Sequence, residues 1–286
     1  EYGMDIEEQS AMNLLSLINP RLRDGRIQFF GASDERYKIQ GGNQKVADGV
    51  AAEVKDQIEF GMRLESLAGQ GSGFHLAFQK SGSGSASASA DIVVLTLPFT
   101  MLRRLDLRLP LPEATRRAIA ELGYGTNAKL FFGFERRLWR ERGYAGAVFT
   151  DTDCQLIWDS SRLQPAAHGA LTMLTGGRAG VAIGGGTPAE HETRLLPHVE
   201  RLWNGVTALR TGPPGRFHWP THPYTLGAYA SFRTGQWSSL RSHLGAPVGR
   251  LFFAGEHCSL NHQGYMEGGA ETGRAAARAI LKAIRS

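Results

Sequence analysis

Residues 250–274, RLFFAGEHCSLNHQGYMEGGAETGR, constrain this chain more than any other stretch. RLFFA is a continuous apolar run, the pattern of a strand buried on both faces, and Gly255 ends it. Gly264 then opens a helical pattern that continues to residue 284 and carries Gly268, Gly269 and Gly273. Each of those glycines costs about 1 kcal/mol of helix propensity relative to alanine, so something has to compensate. Two compensations fit: tight packing of the helix on a sheet, or close approach of a flat ring or a second backbone to a helix face without side chains. A strand–turn–helix unit also presents the N–H groups and positive dipole end of the helix, which suit an anionic or electron-rich ligand.

The rest of the chain predicts a mixed α/β protein. Residues 6–18 place apolar groups at helical spacing, with Pro20 ending the pattern. Residues 27–30 and 37–39 are short strand-like pieces around the turn Ala32-Ser33-Asp34, and Gly41-Gly42-Asn43-Gln44 leads into a helix over 44–53. Residues 58–67 and 74–78 alternate as strands. The tract 81–90, SGSGSASASA, reads as a flexible hairpin tip, and 92–97, IVVLTL, as a strand buried on both faces and ended by Pro98. Helices over 112–122 and 189–209 and strands over 129–134, 146–149 and 171–175 complete the pattern. The expected division is one domain from 38–100 and 245–286, and another from 1–37 and 101–244.

Composition removes several classes of function. The chain has 286 residues, 42% hydrophobic and 21% charged, which is ordinary for a globular protein of one large or two modest domains. Its net charge of +5 is small and scattered, unlike a nucleic-acid-binding face. Two cysteines, Cys154 and Cys258, cannot build a disulfide scaffold or a Cys-based zinc site. His218, His222, His257 and His262 do not pair with carboxylates at ligand spacing, so no metal is expected. No Gly-x-Ser-x-Gly elbow occurs, and no run of about 18 apolar residues predicts a membrane-spanning helix.

The 250–274 string resembles the C-terminal cofactor segment of the flavin-dependent amine oxidases, the monoamine, polyamine and L-amino-acid oxidases. The match runs through Ala254-Gly255-Glu256-His257, Gly264-Tyr265-Met266-Glu267-Gly268 and Gly273-Arg274-Ala275-Ala276. The resemblance implies a non-covalent FAD with Gly255, Glu256 and Gly264 along it and Tyr265 and Met266 beside the ring. Gly227-Ala228-Tyr229 resembles the turn carrying one wall of the family's aromatic cage, with Tyr265 as the other wall. Some relatives carry a flavin-linked cysteine where Ala228 stands. Trp219 resembles the tryptophan flanking the ring, although a Trp in an apolar segment also suits a core. Lys129 matches the lysine that holds a water against flavin N5, and is otherwise a strand-end lysine reaching solvent. Leu64 aligns with the strand residue whose backbone contacts the adenine, and Arg63 beside it suits either a phosphate or the surface. The carboxylate of an amino-acid substrate would need a cation, for which Arg36, Arg162 and Arg233 are candidates.

The family's Gly-x-Gly-x-x-Gly turn is missing: Gly69-Gln70-Gly71-Ser72-Gly73 has the wrong spacing, and Gly176-Gly177 falls in the other half. Residues 1–4 read directly into a helical pattern, so the chain is expected to continue something longer or cut. The fold expected is an incomplete Rossmann-like FAD domain plus an α+β substrate domain with a mixed sheet. The expected partners are a second polypeptide supplying the Gly-x-Gly-x-x-Gly half, a small-molecule amine or L-amino acid, and further copies in a higher oligomer. The GEH…QGYM style of the segment resembles that of bacterial flavin monoamine oxidases. Two readings stand beside the oxidase: a non-catalytic partner-binding flavoprotein subunit, and a flavin desaturase or dehydrogenase that makes no peroxide.

Overall fold

A computed structural model describes residues 1–23, 26–29 and 37–285. In chain order its strands are β1 (Ile18–Arg23), β2 (Arg26–Phe29), β3 (Met62–Gln70), β4 (Gly73–Lys80), β5 (Ser85–Ala90), β6 (Val93–Leu95) and β7 (Asp106–Arg108). They continue with β8 (Ala128–Phe134), β9 (Val148–Phe149), β10 (Leu156–Asp159), β11 (Gly169–Thr175), β12 (Arg210–His218) and β13 (Leu251–Phe253). Among the described residues these form the β1–β2 hairpin, a mixed sheet in the order β5-β4-β3-β7, a parallel pair β13–β6, and an antiparallel sheet in the order β12-β8-β11-β10-β9. The result is the mixed α/β architecture that the sequence predicts.

Alternation explains the antiparallel sheet. Leu130, Phe132 and Phe134 of β8 point to one face with Ile157, Leu171 and Met173, where Trp139 and the helix Pro188–Leu202 cover them. That helix starts on a full capping box, Thr187 with Glu190. The other core joins Leu67 and Phe74 to Phe99, Leu122, Phe232 and Phe253, so it draws on both sequence segments assigned to different domains.

Several elements differ from the sequence reading. The 81–90 tract is no flexible tip: Ser85–Ala90 is a regular edge strand paired residue by residue with β4, because small alternating Ser and Ala fit a pleat with little to pack on. Val93–Leu95 is buried on one face only, with Val94 38% exposed on the other, and β13 is its one strand neighbour among the described residues. The first helix covers Ala11–Leu17 from an Ser10 cap, and residue 18 already begins β1. Tyr37–Ile39 is irregular rather than strand, and the Ala32-Ser33-Asp34 turn lies outside the described residues. β12 and β10 escape the sequence reading, β12 because Pro213-Pro214 sits inside it; a register shift between Thr211 and Gly215 on this edge strand accommodates both prolines.

Candidate functional site

The site is built where four remote pieces of chain meet. The segment leading into β8 pairs with the one that carries Tyr229: Gly125 N–H donates to the Tyr229 carbonyl (3.0 Å), Ala228 N–H to the Gly125 carbonyl (2.8 Å), and Tyr124 bridges Ala230. The ring of Tyr229 lies 3.6 Å from where a Cβ on Gly264 would stand, an ordinary contact distance that sets the ring beside the loop. Gly264 itself holds φ +86°, a left-handed conformation that suits glycine. The phenol of Tyr229 feels that of Tyr265, and burial raises its pKa above the ordinary value, with Glu1, Tyr2, Tyr265 and Glu256 adding to the shift. Tyr229 also donates its hydroxyl to the Glu1 carbonyl. Because Tyr265 follows Gly264 directly, the two tyrosines, 36 positions apart in sequence, come into one neighbourhood.

The loop 255–265 is fastened by Cys258 Sγ, which donates to the Leu244 carbonyl (3.1 Å), by Arg241, which donates to the Leu260 carbonyl, and by three further sets of bonds. Gly255, at φ +141°, donates its N–H to Thr272 Oγ1 (2.9 Å) in the second turn of the helix Met266–Arg285. Glu271 accepts from Ser259 Oγ (2.7 Å) and Asn261 Nδ2 (2.8 Å) and meets His262 Nδ1 (3.2 Å), bonds that hold its carboxyl down at about 2. Glu256 receives two backbone N–H groups, from Ala230 (2.9 Å) and from Gly264 (2.7 Å). Burial pushes the Glu256 pKa up, and these two bonds oppose the rise.

Lys129 stands on the free face of β8, opposite Phe217 of β12 and Leu174 of β11. Its Nζ lies 5.7 Å from the Trp158 ring centroid and makes no hydrogen bond among the described residues. Burial lowers its pKa, and the Glu1 carboxylate partly restores it. Phe131, Trp158 and Phe217 share that face, leaving Lys129 on an aromatic shelf whose far edge, Phe149, is 76% exposed. Trp219 follows β12 in a short turn, its N–H donating to the Asn127 carbonyl (3.3 Å) and its ring 4.4 Å from that of Phe217. Trp219 and Lys129 therefore share one neighbourhood. Leu64 stands apart from it in β3, beside a register shift and against the rim of the first core, and Arg63 is exposed and paired with Glu65 (2.7 Å). Arg162 is exposed, Arg233 pairs with Glu8 (3.5 Å), and Arg36 lies outside the described residues. Among the described residues no cluster of His, Cys, Asp and Glu could hold a metal.

A family profile described as flavin containing amine oxidoreductase matches residues 2–281. This chain belongs to that family. Among its relatives are an L-amino acid dehydrogenase of Synechocystis sp., 27% identical over 88% of this chain and 52% of that protein, and a flavin-containing amine oxidase of Danio rerio, 23% identical over 91% and 50%. In fold it is similar to cyclohexylamine oxidase from Brevibacterium oxydans, with a TM-score of 0.81 and 22% identity over 99% of this chain and 62% of that one. A putrescine oxidase structure aligns with a TM-score of 0.74 at 22% identity, covering 84% and 53%. The chain spans about half the length of the curated relatives it matches.

The cofactor of a flavin-containing amine oxidoreductase is FAD, and the site's residues fit it. A Cβ on Gly269 or Gly273 would meet nothing within 4 Å, so one face of the helix Met266–Arg285 is bare and open. Gln263 Nε2 is buried without a hydrogen-bond partner immediately before Gly264, and Met266 is 55% exposed where the helix starts. Gly255, Gly264, Tyr265 and Met266 are the residues that would hold the group. Ala228 brings no thiol, and both cysteines are buried, in keeping with a non-covalent FAD. The close packing that also suits glycines is real at one position: Gly268 lies against the His262 carbonyl and Ser259.

His257 supplies a pH test of this loop. It is 2% exposed, its ring lies 4.5 Å from that of Phe99, and burial pulls its pKa down to about 4. Between about 6.5, the unfolded value, and about 4 the unfolded chain binds a proton that the folded chain refuses, so stability falls as pH drops through that window. Urea melts across the window should show that slope in the parent protein and a flatter one in His257→Asn.

Proposed function

We propose that the protein containing this chain oxidises an amine or an L-amino acid to the imine, which water hydrolyses to a carbonyl compound and ammonia or a smaller amine. The observation that carries this reading is the meeting of Tyr229 and Tyr265 over Gly264 at the start of a bare-faced helix. Bound FAD would supply the acceptor for the hydride from the amine's α-carbon and pass the electron pair to dioxygen, giving hydrogen peroxide. The two phenol rings hold the amine in a slot and fix the direction of its α C–H bond. The phenol of Tyr229 stays protonated at neutral pH, so it adds no negative charge to the slot. In this reading the aromatic face of Trp158, Phe131 and Phe217 that surrounds Lys129 serves as the apolar floor of the slot, with the Lys129 charge at its edge. A floor of that kind supports substrates with an uncharged aromatic or aliphatic tail, because a second ammonium would be desolvated there without a partner.

The FAD half built from 38–100 and 245–286 has a parallel sheet of two strands, β6 and β13, among the described residues. Two strands are a marginal sheet, which supports completion by polypeptide outside these 286 residues, bearing the Gly-x-Gly-x-x-Gly turn. Denaturing mass spectrometry of the purified flavoprotein reads whether that half travels on the same chain or on a second one.

A peroxide-coupled screen of amines and amino acids on the full protein tests the function. Amines with apolar tails should turn over at least 10-fold faster in kcat/KM than diamines of equal length. A protein that never takes up FAD overturns the reading. The Synechocystis relative named a dehydrogenase favours one alternative: amine-dependent reduction of the flavin with transfer to a dye and no peroxide.

A further inference from the structure

Among the fastenings of the 255–265 loop, those through Thr272 and Glu271 tie it to its own helix, and those through Cys258 and Arg241 tie it to residues 241–244. Glu256 alone among them reaches across to the segment that carries Tyr229. One oxygen, Oε1, accepts the N–H of Ala230, the residue after Tyr229; the other, Oε2, accepts the N–H of Gly264, the residue before Tyr265. We propose that Glu256 is a positioning residue that sets the gap between the two tyrosine rings by holding one backbone amide at each wall. The claim rests on the amine-oxidising reading above only for its functional consequence, since the clamp itself is a property of this chain.

Chemistry favours a carboxylate for this task. Two N–H donors that each bind a different oxygen of one group need two acceptor atoms on a planar carboxylate, and no cation sits on Glu256 to share them. Glutamine offers one oxygen and one NH₂, so one arm would face donor against donor. Aspartate keeps both oxygens and the charge but is one methylene shorter, so it cannot span the two amides. The pair separates geometry from charge: a role in charge alone leaves Glu256→Asp silent, whereas a clamp is broken by both. A slack clamp lets Tyr229 and Tyr265 drift, and misplacement of about 1 Å can slow a reaction by as much as 100-fold.

The experiment uses the full flavoprotein and its E256Q and E256D variants. Amide hydrogen exchange, read without substrate, should be at least 10-fold faster in both variants at the segments holding Ala230 and Gly264, and unchanged at residues 128–134. With FAD saturating, anaerobic reduction by amine should slow 10- to 30-fold in both, while reoxidation by dioxygen stays within 3-fold. If FAD affinity falls but exchange at 230 and 264 does not change, Glu256 is a cofactor contact and the clamp is overturned. If E256D matches the parent, charge and not reach is its contribution, and the clamp is likewise overturned. Should a variant fail to fold, the parent decides: Ala230 and Gly264 amides that exchange freely there refute the bond. A parent that no amine reduces sinks the functional reading, yet the exchange result still tests the clamp.

Discussion

Replacing Lys129 by methionine should slow reoxidation of the reduced protein by dioxygen about 100-fold and change anaerobic reduction by amine less than 5-fold. Dioxygen becomes an anion as it takes its first electron, and a nearby fixed cation lowers that step's energy. A unit charge within about 6 Å at an effective dielectric near 20 is worth about 3 kcal/mol, which is about 100-fold in rate. Lys129 suits this role because its Nζ is only half withdrawn from solvent, touches the Trp158 ring, and spends its charge on no hydrogen bond among the described residues. Its pKa is lowered by burial, so the aid should fade with rising pH earlier than for an exposed lysine. Lys129→Arg should keep most of the rate and remove that fade. Stopped-flow measurement of the two half-reactions separates the effects; equal slowing of both would count against the assignment.

Gly268→Ala should destabilise the protein by about 3 kcal/mol, whereas Gly269→Ala, one position on, should stabilise its flavin-free form by up to about 1 kcal/mol. A Cβ on Gly268 would stand 2.2 Å from the His262 carbonyl oxygen and 3.0 Å from Ser259 Cβ, and a backbone oxygen cannot step aside cheaply. On Gly269 it would meet nothing, so alanine gains helix propensity without a clash. If FAD lies along that bare face, Gly269→Ala should also weaken FAD binding in the full protein. Denaturant midpoints and FAD titrations read the two signs independently, and stabilisation with undiminished FAD binding would place the cofactor elsewhere.

Much of this was legible from residue order. The final helix, expected over 265–284, forms as Met266–Arg285, and the helix expected over 44–53 forms as Gln44–Glu53, because periodic apolar groups and their stops are local signals. β8 appears where its alternation predicts it. The SASASA tract misled because composition suggests a linker, while a pairing partner, β4, makes it a strand. β12 misled because two prolines argue against a central strand, and only the fold shows that it is an edge.

Glu256 shows the limit most clearly. Its place in the Gly-Glu-His string marked it as a cofactor-side residue, and nothing in that string points to Ala230, 26 positions earlier. The sequence by itself determined the elements, the glycine-bared helix, the two tyrosines and the lysine, since each is encoded by neighbours within a few residues. Only the tertiary structure decided that Tyr229 packs on Gly264, that Lys129 shares a face with Trp158 and Phe217, and that one carboxylate accepts from both Ala230 and Gly264. Those pairings depend on where the chain returns after long loops, and that is set by burial of the whole core rather than by any local pattern.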